Sequence, residues 1–266
     1  MKVKFIQAKS ILNRSKINDG YTLNPYVGCP HGCVYCYNQD FLSHIRPLSE
    51  KWGQFLEVKI NAPEILGKEL QRKPKDWVFL STITDPYNPY EQKYQITRRC
   101  LELLLRHQWP VSILTKSILI LRDLDLFKKF SEIEIGFTIT TLDNKTAKIL
   151  EPKTSSPLLR IRALEKLNQA GVSTYIFVAP ILFELTNLKE IFKISRNKVN
   201  EIWFDTLNTK SANWQGLVEI LKNHFPKLLF RYQKIFQKQR FEYEMRLKKE
   251  IKLLSQQFKI PCKIYF

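Results

Sequence analysis

The chain has 266 residues, 44% of them hydrophobic, and a formal net charge of +18 at pH 7. The length suits one α/β domain, and the apolar share is ample for its core. Five cysteines, three of them in one short motif, exclude a disulfide framework; no apolar run is long enough to span a membrane, and no apolar signal core follows Met1.

The first twenty residues are polar and basic without a clear period, and read as an N-terminal arm. Tyr21 to Val27 is β-prone and reads as a first strand, ending at a glycine- and cysteine-rich loop. A helix is expected after Cys36 through Leu42. Residues Phe55 to Ile60 alternate and predict an extra strand, followed by a helix from Ala62 to Arg72 with Pro63 in its first turn. Strands and helices then alternate. Strands are expected over Trp77–Leu80, Val111–Leu114, Ile133–Thr140, Ser173–Val178 and Glu201–Asp205. Between them, Thr97 is expected to cap a helix carrying Leu101, Leu104 and Leu105, and a further helix is expected through Phe130. Asp143 caps a short helix to Leu150, Pro157 opens a longer one ending near Gly171, and Leu188 to Arg196 is helical. From Trp214 the pattern turns helical, and Pro261 to Phe266 reads as a terminal strand. Repeated β-then-α units imply a parallel sheet with right-handed crossovers. The expectation is an α/β fold: an N-terminal arm (1–20), a partial parallel (β/α)6 TIM-type barrel (21–212), and a helical C-terminal extension (213–266) packed on the same domain.

The motif Cys29-Pro30-His31-Gly32-Cys33-Val34-Tyr35-Cys36 carries the chemistry. Three thiolates can hold three irons of a cubane cluster, leaving the fourth iron open to a small-molecule ligand. Gly28 and Gly32 let the chain wrap closely, and Tyr35 offers a flat face for an adenine. The competing reading is a structural zinc site, which wants four ligands; His31 and His44 are candidates for the fourth. Polar residues gather after successive strands: Thr84 and Asp85, Lys116, Thr138 and Thr140, and Ala179 beside Pro180. Each alone is an ordinary cap or loop residue; together they converge on the end of the sheet where such folds carry their sites. Cys100 reads as a core thiol, and Trp77, Trp109 and Trp203 as core residues.

The C-x3-C-x2-C spacing with its aromatic resembles the cluster loop of the radical S-adenosylmethionine (radical SAM) superfamily. Further segments resemble its spore photoproduct lyase and DNA-repair-photolyase-like branch: Asn24-Pro25-Tyr26-Val27-Gly28-Cys29, Thr84-Asp85-Pro86-Tyr87, Leu114-Thr115-Lys116-Ser117, Glu151-Pro152 with Arg160, and Val178-Ala179-Pro180-Ile181. The resemblance implies a [4Fe-4S] cluster on Cys29, Cys33 and Cys36. It also implies S-adenosylmethionine held around Tyr35, Thr84, Lys116, Thr138 and Ala179, to which the strand-end reading adds Asp85 as a cofactor-binding candidate, and a reductant such as flavodoxin or ferredoxin. In spore photoproduct lyases a cysteine that returns a hydrogen atom to the substrate stands three residues before the aspartate matching Asp85; here that position is Thr82.

The expected function is reductive cleavage of S-adenosylmethionine to a 5′-deoxyadenosyl radical, in the cytoplasm, where the surroundings are reducing. The substrate is open: a nucleic-acid lesion (lyase), or a peptide or RNA to be modified. The non-enzymatic alternative is a nucleic-acid-binding protein with a structural metal. The positive charge makes nucleic acid a candidate partner, although abundant Lys, Ile and Asn also fit a genome-wide compositional bias.

Overall fold

The computed structural model describes residues 1–15, 19–45, 50–210 and 213–266. In chain order the elements begin with β1 (Lys2–Ile6), β2 (Leu12–Arg14), β3 (Tyr21–Leu23), β4 (Tyr26–Val27), α1 (Tyr37–Ile45), β5 (Phe55–Lys59) and α2 (Ala62–Leu70). There follow β6 (Val78–Leu80), α3 (Glu91–Tyr94), α4 (Ile96–Arg106), β7 (Val111–Thr115), a 3-10 segment (Ile118–Asp123), α5 (Leu124–Phe127) and β8 (Ile133–Thr138). The chain closes with α6 (Asn144–Leu150), α7 (Pro157–Gln169), β9 (Ser173–Ile181), α8 (Leu188–Ser195), β10 (Glu201–Thr206), α9 (Trp214–His224), α10 (Pro226–Lys238), α11 (Arg240–Phe258) and β11 (Cys262–Ile264).

The larger sheet runs β11-β10-β9-β8-β7-β6-β3-β2. Every pairing from β3 to β11 is parallel, and β2 joins β3 antiparallel at one edge. The fold is therefore α/β with a mostly parallel sheet; among the described residues the sheet is open, with β2 and β11 at its edges. Parallel strands are covered on both faces, which is why β6, β7 and β8 read as near-continuous apolar runs. Val78, Val111, Ile113, Ile135 and Phe137 are fully buried. A second, three-stranded sheet runs β1-β5-β4.

Local signals account for several boundaries. Asp143 accepts a hydrogen bond from the Thr146 amide at 2.7 Å and starts α6, while Pro157 occupies the first turn of α7. Other expectations need correction. Residues 1–15 contain β1 and β2 rather than an irregular arm. Lys16 to Asn18 and the expected boundary at residue 212 lie outside the described residues. The run Tyr21–Val27 is not one strand: Asn24 uses its side-chain oxygen to accept from the Ile83 amide at 3.1 Å, Pro25 has no amide to donate, and β4 leaves to pair with β5. Thr97 is inside α4, its hydroxyl donating to Pro86 O; Gln95, in the left-handed region, precedes the helix. The helix expected through Phe130 begins as the 3-10 segment. Its last residue, Asp123, is drawn into a buried network with Tyr87, Arg98 and Arg122 at 2.7–3.0 Å, a tertiary constraint that the local pattern does not carry. The helical pattern expected from Trp214 is broken into three helices, α10 and α11 being separated at Gln239.

Candidate functional site

All parallel strands point their C-terminal ends the same way, and those ends open on a cavity of about 260 Å³. Cys29, Cys33, Tyr35, Cys36, Thr84, Asp85, Lys116, Thr138 and Ala179 all line it. The loop bearing the thiols is shaped by glycine. Gly28 (φ +78°) and Gly32 (φ +63°) lie in the left-handed region, and a Cβ on Gly28 would come within 2.5 Å of the Phe55 ring.

Asp85 organises the strand ends rather than presenting a free oxygen. Its carboxylate accepts from Tyr87 N (2.9 Å), the Thr115 hydroxyl (2.7 Å) and Lys116 N (2.9 Å), and faces His31 Nδ1 at 3.2 Å. Burial opposes ionisation of Asp85, but His31 and these donors hold its pKa down at about 2. For His31 the burial cost is outweighed by Asp85 and Cys29, which raise it to about 10. Thr84 donates to Gly28 O at 2.6 Å, tying β6 to the thiol loop. Burial alone would lower the Lys116 ammonium; Cys33, Glu151 and Asp85 around it raise it instead, so a fixed cation stands in the cavity 5.9 Å from the Tyr35 ring centre. Thr140 does not line the cavity; its hydroxyl donates to Glu151 at 3.2 Å. Cys100 is fully buried on α4, and Cys262 in β11 is half-buried and lines no part of the cavity.

Several cavity residues were not singled out from the sequence. Tyr37 and Asn38 follow directly on Cys36, and both donate to the Thr82 carbonyl oxygen, Asn38 at 3.3 Å. Ser81 has φ +62°, a strained conformation for a residue with a side chain. Asp205 stands next to last in β10, where the criterion of polar residues at strand ends would have found it; it faces a register shift in β9 at Ala179 and Pro180. Trp52 had no sequence signal.

Three buried side-chain polar atoms lack a protein partner among the described residues: Asn38 Oδ1, Trp52 Nε1 and Ser81 Oγ. All three belong to residues lining this one cavity. Leaving a buried donor or acceptor unpaired costs about 1–3 kcal/mol. Their concentration marks a cavity built around something polar that the protein itself does not supply.

An α/β protein with a mostly parallel sheet and a thiol-bearing loop at the carboxyl ends of its strands is built to hold a cofactor there. The chain belongs to the radical SAM superfamily, whose family model matches residues 23–194. It is 34% identical over 224 residues to the protein MJ0683 of Methanocaldococcus jannaschii, covering 84% of this chain and 83% of that one. In structure it is similar to spore photoproduct lyase complexed with dinucleoside spore photoproduct (TM-score 0.70, 17% identity, 99% of this chain and 82% of that one). It is also similar to Streptococcus suis SuiB bound to the precursor peptide SuiA (TM-score 0.56, 14% identity, 92% of this chain and 48% of that one).

The chain is thus an enzyme of the radical SAM class, with a [4Fe-4S] cluster and S-adenosylmethionine as its cofactors. The residues present fit them. The three motif thiols share the cavity with a buried cation and with unpaired donors and acceptors. His44, considered above as a zinc ligand, instead contacts Asp40 O at 2.7 Å on α1. Among the described residues no helix is long and apolar enough to cross a membrane.

Proposed function

We propose that the protein reductively cleaves S-adenosylmethionine at a [4Fe-4S] cluster held by Cys29, Cys33 and Cys36. The observation that carries this reading is the convergence of the three thiols, the Lys116 ammonium and the three unpaired polar atoms on one cavity. When bound, the two cofactors supply a 5′-deoxyadenosyl radical. The chain's own residues bind and orient. Lys116 meets the cofactor carboxylate, Tyr35 and Thr138 flank the nucleoside, and the Ala179 backbone lies at the bulge opposite. Asp85 holds Lys116 in position through its backbone amide. Anaerobic reconstitution with iron and sulfide, followed by dithionite and S-adenosylmethionine, tests the reading. The expected results are about four irons per chain, as the cubane requires, and reductant-dependent 5′-deoxyadenosine. Stoichiometric zinc with no iron uptake would overturn it.

In the same reading, β3 and β6 to β10 form a partial (β/α)6 barrel, residues 213–266 form its helical extension, and a flavodoxin or ferredoxin supplies the electron in a reducing cytoplasm.

The substrate is less constrained. A nucleic acid is favoured by the +18 charge and by α10 and α11, where exposed lysines accompany Phe230 and Phe241, each more than 70% exposed. Cations neutralise phosphates, and exposed rings stack on unpaired bases. Binding of single-stranded oligonucleotides that weakens steeply with salt supports this reading; salt-independent or absent binding turns the search towards peptides, as in SuiB with its precursor peptide.

A further inference from the structure

The turn before β5 rests directly on the thiol loop. A Cβ on Gly53 would come within 2.8 Å of Gly32 Cα, and the Phe55 ring lies against Gly28. Residues 52–55 therefore run along residues 28–32, the segment that carries Cys29 and leads into Cys33. The turn is pinned in place. Gln54 N donates to Lys51 O at 3.0 Å, Lys2 N donates to Gln54 O at 2.8 Å, and Lys153 Nζ donates to Gly53 O at 3.3 Å. The Trp52 ring packs edge-on against Phe55, with centroids 6.1 Å apart.

This architecture brings Trp52 to the cavity wall with its Nε1–H buried and unpartnered. An indole N–H is a donor only, so its partner must be an acceptor. The groups that the contacted loop turns to the cavity are Cys29, His31 and Cys33. His31 already faces Asp85, which leaves sulfur as the acceptor chemistry on this flank.

We propose that the Trp52 Nε1–H donates a hydrogen bond to a sulfur of the cluster held by Cys29, Cys33 and Cys36, and so raises the reduction potential of that cluster. Hydrogen bonds to cluster sulfurs and exclusion of solvent both set such potentials, and donors to metal ligands tune the metal they hold. The pinned turn makes the donor rigid, and the indole covers the loop from water. Trp52 is a positioning and tuning residue in this assignment; it touches the cluster and not the substrate. The inference rests on the cluster reading above, and its test separates the two.

The experiment compares wild type with Trp52→Phe, which keeps an aromatic ring against Phe55 and removes the N–H donor together with part of the indole's bulk. Both are reconstituted anaerobically and assayed for iron and sulfide. Their midpoint potentials are read by EPR-monitored titration without S-adenosylmethionine. The wild type is also prepared with 15N-indole tryptophan, and exchangeable protons and 15N at the reduced cluster are read by pulsed EPR. The expected result is a full cluster in both, a more negative potential in Trp52→Phe, and a coupled exchangeable proton with an indole 15N signal in wild type alone. A full cluster with an unchanged potential, or a change confined to S-adenosylmethionine affinity, overturns this inference and leaves the cluster reading standing. Wild type that takes up no iron overturns both. Should Trp52→Phe fail to hold a cluster, the labelled wild type decides: no indole coupling overturns the inference.

Discussion

The Tyr35 hydroxyl donates to the Glu151 carboxylate, joining positions 116 residues apart in the chain. Glu151 in turn accepts from Arg160 Nη2 at 2.5 Å, and both members of this ion pair are almost wholly buried. Arg160 also donates to the carbonyl oxygens of Ser155 (2.7 Å) and Thr138 (2.8 Å). The aromatic of the thiol loop is thereby braced against the end of β8 and the start of α7. These are the two residues that the branch resemblance marked without giving them a role.

Breaking this pair should be costly. Arg160→Met removes the ion-pair partner of the buried Glu151 and leaves it only the nearby Lys116 charge and neutral donors; breaking a buried pair costs about 3–5 kcal/mol, and Lys116 should hold the loss towards the lower end. The double variant Glu151→Gln/Arg160→Met should recover part of the loss, because no charge is then stranded. Urea denaturation of the two proteins measures both, and equal destabilisation of single and double variants would contradict the account.

Cys33→Ala should remove the iron–sulfur absorbance and with it S-adenosylmethionine cleavage, because only two motif thiolates would remain for three irons. A variant that kept a full cluster and cleaved the cofactor at the wild-type rate would reject the ligand assignment.

Lys116→Ala should weaken S-adenosylmethionine binding. A charge-assisted contact is worth about 1.5–3 kcal/mol, which corresponds to roughly 10- to 150-fold in Kd. Isothermal titration on the reconstituted protein reads this directly; unchanged affinity would return Lys116 to a purely structural cation beside Glu151.

Thr82 bears on the choice between substrates. It lines the cavity, with its carbonyl held by Tyr37 and Asn38. The branch resemblance implies a hydrogen-returning cysteine at this position, and a threonine O–H bond is too strong for that task. Cys100 is buried on α4 and Cys262 lies away from the cavity, so neither substitutes. With dinucleotide spore photoproduct and dithionite, the enzyme should form 5′-deoxyadenosine but not convert the lesion efficiently. Clean catalytic conversion to two thymines, followed by chromatography, would restore lesion repair as the leading function.

Asp205 should make stability depend on pH. Burial, helped by Glu244, lifts its pKa to about 6 against the pull of Thr206 N–H and Arg240. The folded state therefore holds this proton more tightly than the unfolded chain, so stability declines as pH rises from the ordinary carboxylate range to about 6 and stays reduced above it. Asp205→Asn removes that penalty. Its Tm should exceed wild type at pH 7, with the gap closing towards pH 4; a gap of equal size at both values would show that the charge is not the cause.

What the chain spells out locally, it spelled out by itself. The thiol spacing, the alternation of apolar runs with helical ones, the Asp143 cap and the Pro157 start are decided within a few residues, where turn chemistry and side-chain period act. The strand-end residues were legible for a related reason: parallel strands must all end on one side, so polar groups after successive strands are bound to meet. The tertiary structure decided the rest. Whether β4 continues β3 or leaves it depends on Asn24 reaching Ile83. Whether residues 118–123 form an α-helix depends on Asp123 meeting Arg98 and Arg122. Trp52 reaches the cavity only because Gly53 and Gly32 allow two backbones to touch. These choices rest on contacts between segments far apart in the chain, whose energies exist only once the chain has closed on itself, and no local pattern carries them.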